Sequence, residues 1–367
     1  MRKTFLYPIM SKIKNAKISW LFWQSFYGII LKYLNKFLPH KIITPPIMAV
    51  FLLTYRCNSK CLMCDLPMRA LQAKNPEFTT NQWKNLINQL AEMKTAGIGF
   101  TGGEPLVRND TPELIKHAKK LGLITTLNTN GILLHKENIA KVLAAEPENI
   151  NISIDGVNSE TYDRVRGTPM GFIRMRQNIE NLVKERNRLK KNTLITVVVC
   201  VSQYNINEIE KIANLAIKLG VDKIGFIPMH RIPDTKVYQK TKRPLSCFSK
   251  KKNLGKLFSC ALAKIRTDNR IPIDNSSLYL NMFPLAFEGG YFPIKCLAGE
   301  TSITIDCYGN IFKCWPYLEL KQPSINIGKQ KLKDIWNGKE YEKIREQTNA
   351  CRICFWNCQS ELSIFYK

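Results

Sequence analysis

Cys57-Asn-Ser-Lys-Cys61-Leu-Met-Cys64 is the stretch from which the rest of the chain can be read. Its three cysteines, spaced C-x3-C-x2-C, come directly after the apolar run Met48-Ala-Val-Phe-Leu-Leu-Thr54. That run is short and rich in β-branched and aromatic residues, and Pro45-Pro46 precedes it, so it predicts a buried strand. Three thiolates on one loop at a strand end can reach three corners of an iron–sulfur cube. A [4Fe–4S] cluster takes four cysteines, and no fourth follows until Cys200. One iron is then left open for a small molecule.

Working outward, the 367 residues suffice for one large domain and a smaller one, and 45% hydrophobic content supports a substantial core. Twelve cysteines are too many for an ordinary cytosolic domain and too unevenly spaced for a small disulfide scaffold. The histidines are four, His40, His117, His135 and His230, so imidazole acid–base chemistry has few candidates. The net charge of +26 and pI near 9.6 predict attraction to nucleic acid, anionic lipid or an acidic substrate.

From Met48 onward, short apolar runs alternate with amphipathic stretches. Strands are expected at Met48–Thr54, Ile98–Thr101, Ile124–Asn128, Asn149–Ile154, Leu194–Val201 and Lys223–Pro228. Helices are expected at Thr80–Thr95, Asp110–Leu121, Lys136–Ala145, Phe172–Arg188 and Ile206–Leu219. Thr80 or Asn81, Asp110, and Asn205 or Asn207 are candidate caps. Gly97, Gly122 and Gly220 stand where helices should stop. Strands alternating with helices in this way imply a parallel sheet.

The cysteine loop resembles that of the radical S-adenosylmethionine (radical SAM) enzymes, whose defining loop is C-x3-C-x2-C. Met63 departs from the aromatic residue often found there, though a thioether can pack on an adenine ring. The resemblance implies a partial (β/α)6 TIM-like barrel. It also implies a [4Fe–4S] cluster on Cys57, Cys61 and Cys64, with SAM chelating the open iron. Thr101-Gly102-Gly103-Glu104-Pro105 matches the family's GGEP motif, which contacts the SAM amino group. In Leu127-Asn-Thr-Asn-Gly131, Thr129 and Asn130 are expected to face the cofactor–substrate space. In Ile152-Ser-Ile-Asp-Gly156, Ser153 and Asp155 share one side of a strand end. Ser153 can bond the SAM ribose or carboxylate, and Asp155 is the candidate base. Arg166, chosen over Arg164, offers a fork for a carboxylate. Cys200 reads as a buried small hydrophobe, and His230 as structural.

Near the C-terminus, Cys296 and Cys314 flank Ile303-Thr-Ile-Asp-Cys-Tyr-Gly-Asn-Ile-Phe312, a predicted hairpin turning at Tyr308-Gly-Asn310. A helix over Lys331–Glu346 leads to Cys351-Arg-Ile-Cys354, with Cys358 beyond. Two distant thiol pairs brought together this way can build a closed tetrahedral or cubane site. The stretch is similar to the SPASM/twitch extension of radical SAM enzymes, whose C-x(9–15)-G-x4-C pattern is met by Cys296, Gly309 and Cys314. The resemblance implies one auxiliary [4Fe–4S] cluster on Cys296, Cys314, Cys351 and Cys354. Cys358 is an alternative ligand, Cys307 is unassigned, and zinc is the competing occupant.

The expected domains are a basic leader (1–47), a radical SAM core (48–232), a lysine-rich connector (233–290) and an auxiliary-cluster domain (291–367). The leader carries an uncharged aromatic run, Ile18–Leu31, too short for a span of about 20 residues and suited to an interfacial helix on an anionic membrane or to an amphipathic helix packed on the protein's own core or on a partner. Residues 231–270 hold twelve Lys or Arg against Asp234 and Asp268. They are expected to be a solvated helix face and loop, or a second anionic contact. Nucleic acid is disfavoured because basic and aromatic residues do not interleave. The reading is a cytoplasmic radical SAM enzyme, peripheral at the inner membrane face and reduced by a small donor such as flavodoxin or ferredoxin. It would abstract hydrogen from a lipid, lipid-linked sugar or peptide. The alternatives are a non-catalytic Fe–S or zinc binding protein and an RNA-modifying radical SAM enzyme.

Overall fold

The computed structural model describes residues 44–73, 75–229, 253–314, 325–349, 351 and 355–365. The expected leader helix, His230, the basic residues 231–252 and Cys354 lie outside the described residues, as does the side chain of Cys358.

Six parallel strands form the core: β1 (Met48–Leu52), β2 (Gly97–Thr101), β3 (Ile124–Thr129), β4 (Asn149–Ser153), β5 (Leu194–Val201) and β6 (Lys223–Pro228). Each lies beside its sequence neighbour, as right-handed crossovers produce. The crossover helices are α2 (Thr80–Glu92), α3 (Thr111–Lys120), α4 (Lys136–Ala145), α5 (Ser159–Arg166) with α6 (Gly171–Arg188), and α7 (Ile209–Lys218), while α1 (Leu66–Gln72) follows the cysteine loop. Alternation sorts each strand's two faces. On β5, Val197, Val199 and Val201 are buried, whereas Val198 and Cys200 are half-buried on the opposite face. This one-sided cover by helices is the partial barrel the sequence implied.

Local chemistry explains why α2 forms. Thr79 and Gln82 make a reciprocal capping box, and Trp83, Leu86, Ile87 and Leu90 recur at helical spacing and bury one stripe. Phe51 meets Trp83 at 4.6 Å and Phe100 at 6.0 Å, closing β1 and β2 against α2. Truncating such a buried Trp to Ala costs about 3–5 kcal/mol.

Several expectations are corrected. The α2 cap is Thr79, not Thr80 or Asn81. Asp110 occupies the α3 cap position but bonds Arg108 and Thr80 instead of the helix. The Asn205 carboxamide donates to the carbonyls of Asp155 and Cys200, so it fastens a strand end rather than starting α7. Gly122 and Gly220 stop helices with positive φ, whereas Gly97 opens β2, where a Cβ would stand 2.7 Å from the Ile124 carbonyl.

The segment expected to be a solvated connector contains α8 (Leu254–Asp268), whose Leu254, Phe258, Ala261, Leu262 and Ile265 are buried. Phe258 stacks on Phe283 at 4.4 Å and meets Phe226 edge-on at 5.6 Å. The lysine count concealed this apolar stripe. Short helices α9 (Ser277–Leu280) and α10 (Phe283–Phe287) follow.

The C-terminal hairpin, β7 (Ser302–Ile305) and β8 (Asn310–Phe312), forms as expected but joins the main sheet: β7 pairs in parallel with β1, Met48 opposite Ser302. β9 (Ile325–Asn326) pairs with β8. The expected single helix over 331–346 is two, α11 (Leu332–Asn337) and α12 (Lys339–Asn349), parted at Gly338. The last is α13 (Asn357–Phe365).

Candidate active site

The loop after β1 is clamped by segments far away in sequence. Gly103 N donates to Thr54 O at 2.8 Å, and Glu104 N to Arg56 O at 3.0 Å. A Cβ on Gly103 would lie 2.8 Å from the Tyr55 carbonyl oxygen, and one on Gly102 3.1 Å from Thr54 N. These glycines therefore allow two backbones to close on each other. On the other side, Lys60 N donates to Arg166 O at 3.2 Å and Leu62 N to Val165 O at 3.0 Å. Gly167, the left-handed cap of α5, lies so close that a Cβ there would come 2.7 Å from the Lys60 carbonyl carbon.

Within this frame Cys61 is buried, and Cys57 and Cys64 are half-buried. Burial pushes the Cys57 thiol up to about 11, and burial with the charges of Cys61 and Cys57 pushes Cys64 up. Cys61 thus lies near enough to Cys57 and Cys64 to disfavour their ionisation, a penalty that bound cationic iron would reverse. Met63 lies half-buried between the second and third.

Glu104 is fully buried. One of its carboxylate oxygens accepts from Thr129 Oγ1 at 2.8 Å and Leu106 N at 3.1 Å, the other from Asn130 N at 2.8 Å. Burial pushes its carboxyl up, opposed by these bonds. Pro105 opens the 3-10 turn after it, and its carbonyl accepts from Thr111 at 2.6 Å. The Asn130 carboxamide reaches the cysteine loop, donating to Asn58 Oδ1 at 2.7 Å and Ser59 Oγ at 3.2 Å and standing 4.0 Å from Cys57 Sγ.

Of the two candidate arginines, Arg166 turns toward the loop. Its Nη2 is 2.6 Å from Asp155 Oδ2, and its Nη1 3.9 Å from Cys61 Sγ. Arg164 is exposed and lies over the Tyr204 ring. Asp155 is fully buried, its Oδ1 accepting from Cys200 N at 2.7 Å and its Oδ2 ion-paired with Arg166, so it is poorly placed as a base. Arg166 Nε is buried with no hydrogen-bond partner among the described residues. An unused guanidinium N–H on the arginine that reaches Cys61 fits a site for an anionic group over a cluster. Ser153 ends β4, half-buried on the open face. Cys200 is half-buried on that face as well, not sealed in the core as expected.

The sequence reading missed several members. Glu77 accepts from Thr54 Oγ1 at 2.6 Å and pairs with Arg56 at 3.2 Å. Tyr55 donates from its hydroxyl to Asp306 Oδ2 at 2.7 Å, tying the root of the cysteine loop to the hairpin tip. Phe78 N donates to Cys307 O at 2.7 Å beside it. No sequence signal marks Glu77; Asp306, two residues before the turn pair Tyr308-Gly309, could have been read as a turn-forming side chain.

At the opposite end of the hairpin, Cys314 is buried and Cys296 and Cys351 are half-buried. Burial and the nearby Cys351 raise the Cys296 thiol to about 11, opposed by the buried Lys313. Continuing the hairpin register puts Cys314 opposite Ser302. Cys307 lies beyond the end of β7, in the turn at the other end of the hairpin, where its carbonyl accepts from Phe78 N, away from the Cys296 group.

A family model of the radical SAM superfamily matches residues 51–224, and one of the SPASM iron–sulfur cluster-binding domain matches residues 296–359. The chain belongs to the radical SAM enzymes. Within them it carries a SPASM-type C-terminal domain, so it takes a [4Fe–4S] cluster with SAM and auxiliary iron–sulfur ligation. It is 29% identical over 316 residues to the AdoMet-dependent heme synthase of Methanosarcina barkeri, covering 82% of this chain and 86% of that protein. Identity to the PqqA peptide cyclase of Xanthomonas axonopodis pv. citri is 26% over 318 residues, covering 85% and 80%. The fold is shared with Streptococcus suis SuiB bound to its precursor peptide SuiA, at a TM-score of 0.65 and 19% identity, covering 85% of this chain and 69% of SuiB.

Proposed function

We propose that the chain cleaves SAM reductively at a cluster held by Cys57, Cys61 and Cys64 and removes hydrogen from a peptide lying on the open face of the sheet. The observation carrying this reading is the convergence of those thiols with Arg166 and Asn130 at one end of β1. A bound cluster there would supply an electron to the SAM sulfonium, and so a 5′-deoxyadenosyl radical.

The chain's own residues orient and enclose. Asp155 anchors Arg166, which offers its remaining N–H to the SAM carboxylate. Asn130 holds the Asn58–Ser59 turn, and Glu104 locks Thr129 and Asn130 beneath it. Gly102, Gly103, Pro105, Ser153 and Met63 border the space left for SAM.

Support for a peptide comes from that face. Asn151 donates to Asn128 at 2.9 Å, Asn149 to Asn151 at 2.7 Å, and Thr196 to Asn149 at 2.9 Å. Each carboxamide keeps a donor and an acceptor beyond this ladder. A neutral array of this kind suits peptide amides better than an anionic lipid. The lipid reading draws on the leader, 1–47, and the basic segment 231–270, most of which lies outside the described residues, and among the described residues no helix is long and apolar enough to cross a membrane. Reduction would come from a small donor such as flavodoxin or ferredoxin. Cys296, Cys314, Cys351 and Cys354, with Cys358 as alternative, would hold the auxiliary cluster.

The test is anaerobic reconstitution, an iron count and a 5′-deoxyadenosine assay with dithionite and SAM. About eight irons are expected, falling to about four in Cys57→Ala/Cys61→Ala/Cys64→Ala, with 5′-deoxyadenosine from wild type only. Equal 5′-deoxyadenosine from both proteins would overturn the assignment.

A further inference from the structure

Tyr341 is fully buried, and its hydroxyl has no hydrogen-bond partner among the described residues. A buried hydroxyl left unmade costs about 1–3 kcal/mol, so its orientation calls for a cause. The ring is fixed: it packs against Trp336 at 4.9 Å, and the Arg345 guanidinium lies 4.7 Å from its centroid and 4.5 Å from that of Trp336. Arg345 is itself held, donating from Nε to Gly299 O at 3.0 Å and from Nη2 to Trp336 O.

Held this way, the hydroxyl borders the C-terminal thiol site. It would be 3.8 Å from a Cβ on Gly299, whose φ is +81° and which opens a turn three residues after Cys296. Lys313 lines the same spot, its Cβ 3.2 Å from that position. An unpartnered O–H donor thus borders the space between the Gly299 turn, which follows Cys296, and Lys313, which precedes Cys314.

We propose that Tyr341 donates its hydroxyl hydrogen to a sulfur of the auxiliary cluster, a cysteinate or a bridging sulfide, and thereby raises that cluster's reduction potential. This rests on Cys296, Cys314 and Cys351 being cluster ligands. A hydrogen bond to sulfur stabilises the more negative, reduced state, one of the recognised determinants of cluster potential. Tyr341 is a positioning residue for the cluster's electronic state; it contacts no substrate.

The test compares Tyr341→Phe with wild type as reconstituted holoenzymes, using iron and zinc counts and an EPR-monitored redox titration. Iron content should be unchanged and the auxiliary midpoint lower, its reduction equilibrium weakened about threefold to tenfold, tenfold being 59 mV for one electron. Tyr279→Phe is the control. Its hydroxyl donates to Phe355 O at 2.6 Å, so its loss should lower thermal stability and leave the potential alone. In D2O, pulsed EPR of reduced wild type should show an exchangeable deuteron at the auxiliary cluster that Tyr341→Phe lacks. An unchanged potential, or an unchanged deuteron signal, overturns the proposal. Four irons with zinc in the wild-type protein overturns it too, and the metal count attributes that failure to the ligand assignment.

Discussion

Replacing Glu104 by glutamine preserves shape and removes charge at the base of the cysteine loop. The carboxylate receives three donors, Thr129 Oγ1, Leu106 N and Asn130 N, with no exposure to water. A carboxamide keeps one acceptor oxygen. With that oxygen toward Thr129 and Leu106, its NH2 confronts Asn130 N–H; turned over, it confronts Leu106 N–H. One hydrogen bond to a charged group is lost, about 1.5–3 kcal/mol, and a buried donor is stranded at about 1–3 kcal/mol. Removing a buried charge returns part of this, since burial disfavours the ionised carboxyl. The net expected loss is about 2–4 kcal/mol, or about 3–5 °C for a chain of this size. Thermal unfolding of the reconstituted protein measures it, with Thr129→Val, which removes the donor to Glu104 and the acceptor of Gly131 N, expected at about 2–3 kcal/mol. If Glu104→Gln unfolds within about 0.5 kcal/mol of wild type while SAM binding collapses, the carboxylate serves the ligand and the internal bonding described above is wrong.

Gly167→Ala should push Lys60 away from α5 and empty the first cluster, lowering iron from about eight to about four. Gly289→Ala shares the positive φ but meets nothing within 4 Å, so it should keep its iron. Tyr55→Phe removes the hydroxyl bonded to Asp306 and should cost about 1–2 kcal/mol in urea unfolding; a neutral result would mean the hairpin does not brace the loop. Burial pushes Asp110 up, but the Arg108 fork and the Thr80 hydroxyl outweigh it and hold the carboxyl below its ordinary value. Its contribution is therefore complete above about pH 4 and lost as pH falls through the lowered value. Urea midpoints between pH 5 and 2 should fall less steeply for Asp110→Asn.

The strands were legible because each carries a β-branched or aromatic run, and β5 and β6 match their expected bounds residue for residue. The cysteine loop, Arg166 and Asn130 were legible as letters in a pattern. What escaped was what depends on distance across the fold. Nothing in Glu77 says that it will accept from Thr54, and Gly167 reads as an ordinary helix cap until Lys60 is seen against it. The parallel joining of β7 to β1 was hidden because a predicted hairpin looks self-sufficient. Its two outer edges are visible only when β1 and β9 occupy them.

The cysteine loop owes little of its geometry to its own sequence. Gly102 and Gly103 close β2 on one side of it, Gly167 closes α5 on the other, and both contacts need backbone where a Cβ would collide. Arg166 lies at the second junction. Its carbonyl accepts from Lys60 N, and its guanidinium joins Asp155 to Cys61. One residue therefore both places the loop and sets the charge beside it, and side-chain substitution separates these roles because the carbonyl survives it. Arg166→Lys keeps the positive charge and the backbone bond but loses the fork that spans Asp155 and Cys61. Iron should stay while SAM affinity falls, whereas Gly167→Ala, acting on the backbone, should lose the iron first.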